Sequence, residues 1–314
     1  MPVSVRWEGV YPALLTPFTA DDQLDSSLFE KNLRAQLEAG VHGLIIGGSL
    51  GEASTLTRPE KLTLLEKALL TSGGRVPVLM NIAEQATREA VACAREAEAH
   101  GADGLMLLPP MRYYADDRET VTFFRTVAGS TSLPIMIYNN PVDYKIMTTV
   151  AMFEQLAGLA NVQAVKESTR DLTNITRMRN AFGDRFKILG GVDTLALEAL
   201  LLGADGWVAG LVDAFPAETV QIYELAKAGR VEEALAIYRW FMPLLELDIH
   251  PKLVQYIKLA ATATGIGSEH VRPPRLPLEG AERERVWNVI QEQLAKRPEI
   301  SRKSMPLSLD TGSM

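Results

Sequence analysis

The chain has 314 residues, 47% hydrophobic and 23% charged, the mix of a soluble globular protein with room for a sizeable core. Its formal net charge of −7 argues against a nucleic-acid partner, because phosphate binding needs a basic face. One cysteine excludes an internal disulfide and a cysteine-rich metal site, and points to a reducing, cytoplasmic setting. No apolar run approaches the roughly 18 residues of a membrane span, and the N-terminal stretch lacks the pattern of a secretory signal.

In chain order, a strand is predicted at 10–18 (VYPALLTPF), then at 43–48 (GLIIGG), 76–82 (VPVLMNI) and 104–110 (GLMLLPP). Four more follow at 134–141 (PIMIYNNP), 162–168 (VQAVKES), 186–192 (FKILGGV) and 206–212 (GWVAGLV). Their starts lie 20 to 33 residues apart, which is room for a strand, a helix and two loops. Amphipathic segments such as 87–100 and 148–158 fill the intervals, and Gly40, Gly101, Gly183 and Gly203 stand where a helix C-cap is wanted. The strands are almost continuously apolar, as parallel strands covered on both faces must be. Eight such units in about 220 residues predict a closed (β/α)8 TIM barrel over 8–228, against the competing open, doubly wound sheet. No repeated consensus supports a solenoid. Beyond the eighth strand the pattern is helical only, at 215–228, 231–247, 251–265 and 280–296. This predicts a C-terminal helical extension over 229–297 and a loose tail over 298–314.

In a barrel of this kind the reacting groups project from the C-terminal ends of the strands. Lys166 lies in the sixth strand, where a buried ammonium is costly unless it has a partner or a task. Desolvation lowers the pKa of a lysine, and the neutral amine can attack a carbonyl to form a Schiff base. The bland reading pairs Lys166 with Glu167 or another carboxylate. Tyr138 ends the neighbouring fifth strand, where a phenol can shuttle a proton or simply decorate the rim. The loop GGSLGEAST, Gly47 to Thr55, can cradle an anion on its amides or serve as a tight turn. It lacks the Gly-Lys-Ser/Thr ending of a nucleotide-binding loop, and a substrate carboxylate is the natural guest.

Together these motifs resemble the dihydrodipicolinate synthase / N-acetylneuraminate lyase superfamily: G-x-S-x-G-E after strand two, Y-N-x-P ending strand five and V-K-E on strand six, with ALLTPF and LGGVD. The resemblance spans about residues 8–297. It implies a barrel with a helical extension, a homotetramer built from tight dimers, and a Schiff base between lysine and a 2-oxo acid without any cofactor. It assigns Lys166 as the Schiff-base lysine, Tyr138 as the proton-transfer tyrosine and Ser49 as the hydroxyl of a proton relay. It places the substrate carboxylate on Gly48 and the backbone of Ser49 and Leu50, with Gly191 and Val208 lining the pocket. It also implies that Tyr113 or Tyr114, after strand four, reaches into the neighbouring subunit's site.

Two departures bear on the substrate. Ser49 and Leu50 stand where the synthase has two threonines, and Asp143 stands where it has an arginine for the aldehyde's carboxylate. An aspartate there repels a carboxylate and suits a hydroxyl or an ammonium. The motifs therefore lean to a catabolic branch, in particular a 1-pyrroline-4-hydroxy-2-carboxylate deaminase acting on a cyclic imino acid. The alternatives are a sugar-acid aldolase or dehydratase and 4-hydroxy-tetrahydrodipicolinate synthase; more remote are a phosphate-binding barrel enzyme and a non-catalytic ligand-binding barrel. The four histidines show no metal-ligand spacing, so no metal is expected. His42 is expected at the stability face, His100 at a helix end, Cys93 in the core, Asp116 and Asp117 as solvated charge, and Asp193 as an N-cap.

Overall fold

The computed structural model describes residues 3–110 and 113–300. Eight parallel strands alternate with helices: β1 (Gly9–Pro12), α1 (Ser26–Ala39), β2 (Leu44–Ile46), α2 (Arg58–Ser72), β3 (Val78–Ile82), α3 (Thr87–Ala99), β4 (Gly104–Leu107) and α4 (Asp117–Ala128). Then come β5 (Ile135–Asn139), two short helices α5 (Pro141–Tyr144) and α6 (Val150–Leu156), β6 (Val162–Glu167), α7 (Thr173–Phe182), β7 (Lys187–Gly190), α8 (Ala196–Leu201), β8 (Gly206–Ala209) and α9 (Pro216–Lys227). The strands run β1-β8-β7-β6-β5-β4-β3-β2 around the sheet. Bonds from His42 N to Val10 O (2.8 Å) and from Leu14 N to Ile45 O (2.9 Å) bring β2 back to β1 and close the (β/α)8 barrel.

Local signals explain where the helices begin and end. Thr57 and Glu60 form a capping box at the start of α2, and Asp116 and Glu119 form another at α4, so the exposed charge of Asp116 also caps its helix. Gly40 ends α1 in the left-handed region at φ 86°, which a side chain would disfavour. Inside the barrel the apolar strand residues are almost without exposure, and Tyr11, Phe18 and Trp207 are among the largest buried side chains.

The strands are shorter than the apolar runs that predict them. Residues 13–18 stay buried after β1 ends at Pro12, but beyond the isolated bridge of Ala13 to Ile45 and the Leu14 bond to the same residue the chain leaves the ladder for a loop. From residue 15 burial continues without a strand, and apolar periodicity cannot tell the two apart. Likewise Pro141, the end of the predicted fifth strand, opens the short helix α5.

After α9 come α10 (Val231–Leu245), a 3-10 turn at Glu246–Ile249, α11 (Leu253–Ala263) and α12 (Gly280–Ala295). The 3-10 turn packs on another at Asp193–Leu195, so this helical segment reaches the C-terminal mouth of the barrel. Most of the predicted tail, 301–314, lies outside the described residues. His42 sits at the opposite end, where its Nδ1 accepts from Val10 N and its ring meets Tyr223. Cys93 is buried in α3, and burial pushes its thiol up to about 11. No helix among the described residues is long and apolar enough to cross a membrane.

Candidate active site

The register of β5 and β6 places Tyr138 directly beside Lys166, and Asn139 beside Glu167. Side chains alternate across a strand, so the first pair points into the barrel mouth and the second away from it. Glu167 is held on that outer side by Thr169 N (2.8 Å) and the amides of Asn174 (2.6 Å) and Asn139 (3.4 Å), which leaves it no role as the lysine's counter-ion. Lys166 is only 6% exposed, and its Nζ lies 4.1 Å from the centre of the Tyr138 ring. Among the described residues this Nζ makes no hydrogen bond or ion pair. Burial lowers its pKa, while Tyr144, Asp248, Asp193 and Asp143 act in the other direction.

Gly191 makes the space for that side chain. A Cβ added at residue 191 would stand 2.7 Å from both Cγ and Cε of Lys166, and closer still to the Ser168 hydroxyl. The glycine is required by contact, since its φ is ordinary.

Tyr138 is 7% exposed, and burial raises its pKa, so the phenol keeps its proton. Asn140 Nδ2 donates to the Tyr138 oxygen (3.1 Å) and to Asp143 Oδ2 (2.7 Å), while Asn140 Oδ1 accepts from Asp143 N (3.2 Å). Asp143 is therefore tied through Asn140 to the phenol, besides facing the cleft.

The strand-two loop closes the other side. Gly48 lines the cleft, and Gly51 lies so close to Leu14 O that an added Cβ would stand 2.7 Å away. Leu50 is buried and Ser49 exposed, and among the described residues neither amide is engaged in a hydrogen bond. Two free amides side by side suit an anion. The Ser49 hydroxyl bonds the phenol of Tyr144, whose ring meets that of Tyr138 edge-on at 5.4 Å.

Carboxyl groups crowd the far wall. Asp193 is not the N-cap that its position predicts: its carboxylate accepts from Trp207 Nε1 (2.9 Å), Gly210 N and Leu211 N (2.8 Å), tying the loops after β7 and β8 together. Asp248 enters from the 3-10 turn of the helical segment, and Gly210 leaves it room, since an added Cβ would stand 2.6 Å from its Oδ1. Burial raises the pKa of Asp193 and lifts that of Asp248 well above the usual range. Val208 and Arg170 complete the lining of the cleft, which opens to solvent at the barrel mouth. Arg170 is exposed at φ 64° and makes no hydrogen bond or ion pair among the described residues.

The structure thus brings Lys166, Tyr138, Ser49, Gly48, Leu50, Asp143, Gly191 and Val208 to one cleft. Tyr113 and Tyr114 do not join it within the chain. They are 60% and 77% exposed, and the Tyr113 hydroxyl donates to Glu119 (3.0 Å). Sequence reasoning missed Asn140, Tyr144, Ser168, Arg170 and Asp248. The first four follow β5 or β6 by a few residues, so their distance from a strand end was a usable signal; Asp248 carried none. Among the described residues no group of three or more His, Cys, Asp or Glu could hold a metal ion.

Comparison with known proteins agrees with this fold. The model of the dihydrodipicolinate synthetase family matches residues 6–293. A 4-hydroxy-tetrahydrodipicolinate synthase of Exiguobacterium sibiricum is 34% identical, covering 87% of this chain and 92% of its own length. An uncharacterized DapA-like lyase of Rhizobium meliloti is 31% identical, covering 90% and 94%. The crystal structure of a dihydrodipicolinate synthase from Agrobacterium tumefaciens superposes with a TM-score of 0.85 at 31% identity, covering 92% of this chain and 98% of that one.

Proposed function

The chain belongs to the dihydrodipicolinate synthetase family and is a Schiff-base lyase, and we propose that its reaction begins when Lys166 captures a 2-oxo acid in the cleft at the barrel mouth. One observation carries this reading: a buried amine with no counter-ion beside a buried phenol. Burial disfavours the ammonium, so the amine is available to attack the keto carbon. The resulting carbinolamine loses water when Tyr138 gives its proton to the departing hydroxyl. The iminium left behind draws electrons from C3, where a proton is lost or a bond to the second reactant is made or broken. The substrate carboxylate fits the free amides of Ser49 and Leu50.

For the second half of the substrate, the names of the curated relatives favour 4-hydroxy-tetrahydrodipicolinate synthase over the deaminase towards which the motifs lean. Arg170 supports the same reading, because an unpartnered guanidinium at the mouth can receive a second carboxylate in place of the arginine missing at position 143. A second reading rests on Asp143. With Asp248 it gives the cleft two acids that suit a hydroxyl or an ammonium, as in a hydroxylated 2-oxo acid or a cyclic imino acid.

Incubation with pyruvate and borohydride should add one ligand mass per chain, on the peptide containing Lys166; modification elsewhere would reject the mechanism. A substrate panel then separates the finer readings. The synthase reading expects condensation of pyruvate with aspartate semialdehyde, and an Arg170→Ala change should raise KM for the aldehyde by about tenfold or more. Turnover of a hydroxylated cyclic imino acid without that condensation would establish the second reading instead. We also propose a homotetramer, a dimer of dimers, with the exposed Tyr113 and Tyr114 at its contacts; a monomer in sedimentation at micromolar protein would refute it.

A further inference from the structure

The two asparagines that close the fifth strand face opposite ways. Asn139 lies on the outer side, where its Nδ2 donates to Thr148 O (3.1 Å) and its Oδ1 accepts from Thr148 N (2.9 Å). Asn140 turns back to the cleft and is 5% exposed. Its Oδ1 accepts from Asp143 N (3.2 Å) as the cap of α5, while its Nδ2 donates to Asp143 Oδ2 (2.7 Å) and to the Tyr138 oxygen (3.1 Å). This amide cannot be turned round. Its oxygen would then face the Asp143 carboxylate, and its nitrogen would meet an N–H that can only donate. The atom beside the phenol is therefore a fixed donor. Position 140 is the open one in Y-N-x-P, so the motif by itself asks for no amide there.

We propose that Asn140 is a positioning residue for proton transfer at Lys166: its amide holds the Tyr138 oxygen as an acceptor, turns the phenolic proton into the cleft, and steadies the oxygen once that proton has left. The proposal rests on Tyr138 acting as the proton carrier. A phenol has one proton to give, and a donor already on its oxygen keeps that proton from the same side. When the carbinolamine hydroxyl departs as water, its proton comes from Tyr138 and a phenolate remains. The phenolate then takes a proton from C3, whose C–H electron pair passes into the enamine. The phenol is restored, and no other reactant is consumed. Between the two transfers the Asn140 bond runs to a charged oxygen and is stronger than the bond to the neutral hydroxyl. That gain is made during transfer and is absent while substrate is only bound, so it acts on turnover. Burial works against the phenolate, and the Asn140 donor opposes it from the same buried wall.

The test uses the full chain with pyruvate in D2O, following loss of the methyl proton signal by NMR over a range of pyruvate concentrations. Rates are taken per chain trapped by borohydride, which removes any misfolded fraction from the comparison. Asn140→Ser and Asn140→Asp both keep a side chain able to cap α5. The serine is too short to reach the phenol, and the aspartate sets an acceptor where the donor was. The maximal exchange rate should fall about tenfold or more in the serine variant and further in the aspartate variant, with pyruvate half-saturation moving by less than about threefold. A residue that only caps the helix would leave the maximal rate within about threefold in both variants, and that result overturns the proposal. So does a loss confined to half-saturation. Tyr138→Phe is run alongside. If it exchanges like the unmodified protein, Tyr138 is not the carrier, and the reading on which the proposal rests fails with it.

Discussion

Lys166 and Lys258 are both withdrawn from water, at 6% and 1% exposure, yet they sit in opposite surroundings. Lys258, on α11, meets Glu52 Oε1 at 2.5 Å and the His270 carbonyl at 2.5 Å, with its Nζ 4.7 Å from the Phe18 ring centre. Arg272 covers the same ring at 4.2 Å, and its amide donates to Glu52 Oε2 (3.1 Å). Burial still outweighs the carboxylate and brings Lys258 down to about 8. Lys166 has an aromatic face and nearby acids but no bonded partner. A buried lysine is therefore not in itself a nucleophile. Where a carboxylate and a carbonyl satisfy the ammonium, the residue fastens structure; where nothing does, the amine is left reactive.

The two sites also serve each other. Glu52 belongs to the strand-two loop that carries Ser49 and Leu50, three residues before it at most, and it is fully buried at φ 59°. The pair with Lys258 ties that loop to α11, so the helical segment steadies the amides facing the substrate.

The sharpest way to break the comparison is to give both positions the same apolar replacement. Lys166→Met should abolish the borohydride-trapped adduct and turnover completely, while urea denaturation shows stability unchanged within about 1 kcal/mol or slightly raised, since an unpartnered buried amine is lost. Residual adduct on another lysine would end the distinction drawn here. Lys258→Met should do the reverse. It leaves the buried Glu52 with only Arg275 at 3.5 Å and the Arg272 amide, and should cost up to about 3–5 kcal/mol of stability, read from the urea midpoint. A double Lys258→Met, Glu52→Gln change should return part of that loss, because the buried charge that lost its nearest partner is gone. A smaller effect concerns pH. Only the neutral amine reacts, so the rate of adduct formation should fall as pH falls through the Lys166 pKa. Burial lowers that value from 10.5, so the fall lies at lower pH than for an exposed lysine. A stopped-flow profile whose midpoint is no lower than that of an exposed lysine, about 10.4, would contradict it.

The sequence carried the barrel because each strand is an apolar run of parallel-sheet type, and the eight starts were legible to within two residues. The strand ends were not, since buried loop residues such as 15–17 look like strand when only hydrophobicity is read. Gly40 and the capping boxes were local facts, fixed by backbone sterics and by side chains three residues apart. Asp193 shows the limit. Its place after β7 predicts a cap, but Trp207 Nε1 and the amides of Gly210 and Leu211 claim it from the next unit.

By itself the sequence determined the order of elements, the lysine at a strand end and the tyrosine one strand before it, because periodicity and strand termini are properties of neighbouring residues. Only the tertiary structure decided which charges meet. Asp248 acts on Lys166 across 82 residues without bonding it, and Lys258 finds Glu52 across 206, and no local pattern marks either acid. Coulomb energy and desolvation depend on distance and burial in the folded chain, so which buried lysine is fastened and which is free was settled by packing alone.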